Sequence, residues 1–132
     1  MRLSRFLGVA AAAAALVTTA GVAGAAPAGV APMDKQCDDG YGHIAGAQAP
    51  FSGAPGQVTG MGIYTYNPGY PVHVRVYKDV PGAPDPIVAS ADGTSGQRIN
   101  AVGQLQGPGA YYTWVSSLSN TEVCRSENVP LG

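Results

Sequence analysis

His43 and His73 are the only histidines of the chain, and Cys37 and Cys124 its only cysteines. Metal, redox or imidazole-based chemistry would have to be assembled from these four residues and nearby carboxylates. The usual announcements of such chemistry are missing. There is no G-x-S-x-G around a nucleophilic serine, no H-E-x-x-H for a zinc hydrolase, no C-x-x-C, and no carboxylate pair in a glycosidase setting. Asp34, Asp38 and Asp39 gather around Cys37 and precede Gly40, but without the fixed spacing by which an EF-hand loop collects six to eight oxygens. They read as an acidic turn, and both histidines as structural or surface groups. The expectation is a non-enzymatic chain with no metal and no cofactor.

Tyrosines and one tryptophan carry a different signal. In Pro71-Val72-His73-Val74-Arg75-Val76-Tyr77-Lys78 three valines alternate with His73, Arg75 and Tyr77. A period of two places Val72, Val74 and Val76 on one face of a half-buried strand and the polar and aromatic side chains on the other. Gln57 to Tyr66 alternates too, with Met61, Ile63 and Thr65 on one face and Gly60, Gly62, Tyr64 and Tyr66 on the other. Asn67-Pro68-Gly69 between the two runs is turn chemistry and predicts an antiparallel hairpin. With the valines, Met61 and Ile63 inward, Tyr64, Tyr66, His73, Arg75 and Tyr77 share the outer face as a candidate binding stripe. Rings suit such a surface because they offer area at low entropic cost. Tyr112 and Trp114 join the stripe if Tyr111, Thr113 and Val115 point inward; the competing reading makes Trp114 the core tryptophan.

The elements that must position these residues are short. Glycine (19) and proline (11) are abundant and only 11% of residues are charged, a balance that disfavours long helices and suits strands joined by tight turns. Further strands are expected over Tyr41 to Ala49, Ile87 to Ser90, Arg98 to Leu105, Ala110 to Leu118 and Asn120 to Arg125, with a Pro-rich loop from Val80 to Pro86 and a polar turn from Asp92 to Gly96. The pattern predicts an all-β antiparallel sandwich of six or seven strands, immunoglobulin-like or fibronectin-III-like, with a small barrel as the competing architecture.

At the N-terminus, Arg2 and Arg5 precede an apolar, Ala-rich run and the small residues Ala23-Gly24-Ala25. This reads as a secretory signal peptide over residues 1–25, cleaved after Ala25, with an uncleaved anchor as the competing reading. A mobile leader (26–36) and one domain (37–132) follow. Losing Arg2 and Arg5 leaves five basic against eight acidic residues, a net charge of −3, which argues against nucleic acid and anionic membrane as partners. Export and an even cysteine count predict a Cys37–Cys124 bridge across 87 positions in a monomer.

Gly60-Met61-Gly62-Ile63-Tyr64, Asn67-Pro68-Gly69, the valine strand and Gly109-Ala110-Tyr111-Tyr112-Thr113 together resemble small secreted actinobacterial proteins of unassigned role. The resemblance covers about half the mature chain and implies export and a β-sandwich; it brings no site residues with it. The four cysteines of neocarzinostatin-like or subtilisin-inhibitor proteins are absent. Two function classes are expected: an extracellular module binding a glycan or protein on its aromatic face, or an inhibitor or structural accessory protein acting through the Val80 to Pro86 loop.

Overall fold

The computed structural model describes residues 34–132. The expected signal peptide and most of the expected leader lie outside the described residues; Lys35 and Gln36 already belong to the first strand. Among the described residues there is no helix. Nine strands follow in chain order: β1 (Lys35–Asp38), β2 (Ile44–Phe51), β3 (Gln57–Tyr64), β4 (Pro71–Asp79), β5 (Ile87–Thr94), β6 (Ile99–Gln104), β7 (Gly109–Ser117), β8 (Glu122–Arg125) and β9 (Val129–Leu131). They form two antiparallel sheets packed as a sandwich. One sheet has the order β1-β2-β3-β6; the other has β8-β7-β4-β5, with β9 also paired to β7. Across the interior β2 lies over β7, β3 over β4 and β6 over β5.

The valine strand is central, hydrogen-bonded to β5 on one side and β7 on the other. Val72, Val74 and Val76 are fully buried and His73, Arg75 and Tyr77 face outward, as the alternation predicts. Each buried valine contributes about 1.5–3 kcal/mol relative to an exposed one. Alternation also places β6 correctly, with Ile99 and Ala101 inside and Asn100 and Val102 outside.

Three expectations are corrected. Nine strands replace six or seven, because β1 reads Lys-Gln-Cys-Asp with no apolar period and the three-residue β9 lies beyond the last expected strand, β8, along the same edge of β7. The expected polar turn at Asp92 is strand, since β5 stays paired with β4 through His73↔Asp92 to Pro71↔Thr94. Finally, β3 and β4 form no hairpin. Both edges of β4 are taken by β5 and β7, so the Asn67-Pro68-Gly69 turn carries the chain from one sheet to the other.

β3 also turns the opposite face inward. Val58, Gly60, Gly62 and Tyr64 are buried, whereas Met61 and Ile63 are half-exposed. The reason lies in the facing layer. A Cβ on Gly60 would collide with the Val76 and Thr113 side chains, and one on Gly62 would fall 2.6 Å from Val115 Cγ2 and 2.9 Å from Val74 Cγ2. Valines and threonine from β4 and β7 already fill the gap between the sheets, and only a strand presenting hydrogens there packs against them.

Two devices fix the ends and edges. Tyr111, fully buried at the start of β7, donates its hydroxyl to the Gly107 carbonyl (2.6 Å) and accepts from the Gln106 amide (2.9 Å), pinning the β6–β7 connection. Cys37 on β1 is bonded to Cys124 on β8, with their Cα atoms 5.6 Å apart. The bridge therefore joins the edge strands of the two sheets.

Candidate functional site

Antiparallel register sets residues of β4 and β7 side by side on the outer face of the β8-β7-β4-β5 sheet: His73 beside Ser116, Arg75 beside Trp114, Tyr77 beside Tyr112. Tyr111, Thr113 and Val115 point into the core, so Tyr112 and Trp114 do lie on the outer face; Trp114 is half-buried on the surface rather than a core residue, and Tyr112 is buried there beneath Arg125. Tyr77 and Tyr112 stack with centroids 5.4 Å apart and planes 14° apart, and Trp114 meets Tyr77 edge-on at 5.7 Å. Two arginines lie on the rings, Arg75 over Trp114 at 5.8 Å and Arg125, from β8, over Tyr112 at 3.6 Å. These are cation–π contacts that spread the guanidinium planes over the sheet. Ile87 of β5, opposite Tyr77, adds an exposed apolar side chain.

Polar contacts frame the rings. His73 Nδ1 lies 2.6 Å from Asp92 Oδ1 across the β4–β5 pair, and the Trp114 indole donates to Glu122 Oε1 at 3.0 Å. Asp85 ties the Pro-rich loop to this face, accepting from the Val80 amide (2.9 Å) and the Tyr112 hydroxyl (2.8 Å). Those two bonds, with help from Arg125 and against the cost of burial, hold the Asp85 carboxyl below its ordinary value. Burial and the Asp85 bond push the Tyr112 phenol up, while Arg125 pulls the other way. Arg125 lies far from the valine strand in sequence, and neither it nor the nearer Asp85 and Ile87 carries a local pattern marking it for this face.

Tyr64 and Tyr66 are elsewhere, which corrects the expectation that they share a face with His73, Arg75 and Tyr77. Tyr64 closes the inner face of β3 and is only 4% exposed. It belongs with Tyr66 and Tyr70 to a cluster at one end of the sandwich, where Tyr66 packs on Tyr70 (4.4 Å) and on the His43 ring (4.3 Å). Asp39 sits at its base. The Tyr64 hydroxyl donates to Asp39 Oδ2 (2.8 Å), His43 Nδ1 lies 2.7 Å from the same oxygen, and Oδ1 accepts from the Tyr41 and His43 amides. The expected acidic turn is strand up to Asp38, and only the residues after it turn; Asp39 is a half-buried knot there rather than a solvated charge. Among the described residues no group of three or more His, Cys, Asp and Glu side chains is arranged to hold a metal.

Burial opposes the Asp39 charge, yet the bonds from Tyr41, Tyr64 and His43 outweigh it and lower its carboxyl from 3.8 to about 2. A carboxyl depressed by folding stabilises the native state fully above its unfolded value, and that stability is lost as pH falls through the folded value. The native state is therefore expected to weaken between pH 3.8 and about 2, and Asp39→Asn to flatten that part of the profile while the Asp85 share remains. Urea midpoints measured down the acid range check this; an identical acid slope in the variant would contradict it.

No protein-family model matches the chain, and no curated protein matches it.

Proposed function

We propose that the chain is a secreted, non-enzymatic binding module that holds another protein against the outer face of its five-stranded sheet. One observation carries the reading: Tyr77, Trp114, Arg75 and Arg125 lie together on the face turned away from the core, at or near the surface. Trp, Tyr and Arg are the residues enriched among the few that dominate protein interfaces, because each offers a large, rigid or pre-organised contact with a polar rim. The disulfide is compatible with an extracellular protein, and the basic, apolar, small-residue order of 1–25 supports a signal peptide. The hydroxyl of Tyr111 bonded back to the preceding loop matches the tyrosine corner of Greek-key sandwiches, which supports the immunoglobulin-like or fibronectin-III-like reading.

The test is a screen of the mature protein against extracellular proteins and cell-wall glycans, repeated with Tyr77→Ser, Arg75→Ala and, on the opposite sheet, Val102→Ser. Binding to a protein is expected to fall about tenfold or more for the first two and to be unchanged for the third. Trp114, the only tryptophan, is expected to be quenched by acrylamide in the free protein and shielded in the complex. Binding that survives both face substitutions, or that is confined to glycans, overturns the proposal. An inhibitor working through the Val80 to Pro86 loop is the second reading, favoured by the exposure of Pro81 to Pro84 above the Asp85 brace. Inhibition of an extracellular protease, lost on Asp85→Ala, would select it.

A further inference from the structure

We propose that the outer face of the four-stranded sheet is a self-association surface, on which two copies of the chain stack sheet to sheet about a two-fold axis running along the strands. One observation carries it: β2, β3 and β6 are adjacent, and none of their residues is Asp, Glu, Lys, Arg or His. Apolar and amide side chains take the outward positions instead. Ile44 and Phe51 are each 40% exposed and Val102 is 53% exposed, with Met61 and Ile63 half-exposed among them. Gln48, Gln57, Asn100 and Gln104 share the same side. A sheet face turned to water ordinarily carries charge. Depletion of charge around aliphatic side chains marks the centre of a protein interface.

The composition selects a second copy as the occupant. An amide is both donor and acceptor, so a face of glutamines and asparagine pairs with its own image and needs no opposite charge to match it. Two mature chains, each with a net charge of −3, repel one another, and this face lets them touch without setting like charges together. Its size is sufficient for a weak dimer. Strands lie about 4.8 Å apart and rise about 3.3 Å per residue, so the sheet presents roughly 400 Å² in projection and two copies bury roughly 1,000 Å² in all. Reversible complexes have interfaces of that order.

Charge at the sheet edge chooses the axis. β1 turns Gln36 and Asp38 outward beside Gly46 and Ile44, and Asp34, in step with them, accepts from the Ala49 amide at 2.9 Å. A two-fold across the strands lays β1 on β1 and carboxylates near carboxylates. A two-fold along the strands lays β1 on β6 of the other copy. Register then sets Asp34 over Asn100, because Gln48 pairs with Met61 and Met61 with Asn100. The contact is reciprocal, as a two-fold requires, and aligned stacking is an ordinary way for two sheets to pack.

The experiment is sedimentation equilibrium of the mature protein from about 5 μM to about 1 mM, with amide NMR shifts followed over the same range. A reversible dimer with a dissociation constant of about 10–100 μM is expected. Its concentration-dependent shifts are expected in β2, β3 and β6 and not in β4 or β7. Raising the salt is expected to leave the dimer unchanged or tighten it, since only the repulsion between net charges is screened. Asn100, an exposed position, supplies the decisive pair of variants. Facing Asp34, Asn100→Glu is expected to weaken dimerisation about tenfold or more, whereas Asn100→Lys is expected to leave it equal or tighter. Melting temperatures confirm that both variants are folded. A monomer at about 1 mM, shifts centred on β4 and β7, weakening by salt, or equal loss in the two variants overturns the proposal. The proposed protein-binding face lies on the other sheet, so either surface can fail without the other.

Discussion

Opening the Cys37–Cys124 bridge is expected to lower stability by about 4 kcal/mol on the chain-entropy view, since it closes a loop of 87 positions. For a domain of roughly a hundred residues, total stability is about 5–15 kcal/mol, and each kcal/mol shifts Tm by about 4–8 °C. The reduced protein and the Cys37→Ala/Cys124→Ala variant are therefore expected to melt about 15–30 °C lower than the oxidised form. The bond ties β1 to β8, two four-residue edge strands on different sheets. Without it, β1 retains only its ladder to β2, and fraying should begin there. Calorimetry with and without reductant measures the shift, and amide exchange locates the fraying. A Tm drop below about 5 °C would show that the sandwich closes that side without the bridge.

Tyr64→Ser is expected to cost about 3–5 kcal/mol, the range of large aromatic deletions in a core, because the ring is 4% exposed and packs in the main apolar cluster. Its hydroxyl bond to Asp39 is lost with it. Tyr77→Ser is the matched comparison. Tyr77 is half-buried on the outer face and loses chiefly its ring contacts with Tyr112 and Trp114, worth about 0.5–1.5 kcal/mol each. Denaturant midpoints of the two variants at equal slope decide between them. Equal small losses would place Tyr64 on a surface after all, and with it the outward stripe that alternation around Met61 and Ile63 predicts.

The contrast between those two tyrosines shows what a strand pattern can and cannot say. Around Val72, Val74 and Val76 the period of two has a single apolar phase, and burying it is the only favourable choice. In β3 both phases are ambiguous: one holds Met61 and Ile63, the other Val58, two glycines and Tyr64. Hydrophobicity favours the first phase. The structure takes the second, because the space opposite β3 is already occupied by Val74, Val76, Thr113 and Val115. No residue within β3 announces that neighbour.

Local chemistry was sufficient where the cause was local. Alternation identified the outward placement of His73, Arg75 and Tyr77 and the all-β class, and cysteine parity with an expected export identified the bridge, but alternation alone did not choose between an inward Tyr111, Thr113 and Val115 and a core Trp114. Tertiary structure decided the rest. Which strands pair depends on which edges remain free once β4 lies between β5 and β7, and this turned an apparent hairpin into a crossing between sheets. That crossing moved Tyr64 onto Asp39 and Tyr66 onto His43, away from the valine strand at the end of the sandwich, while β8 brought Arg125 onto Tyr112. A strand's own residues fix its two faces by a period of two, but its partners and its inward phase are fixed by the volume and the unpaired backbone groups of distant strands.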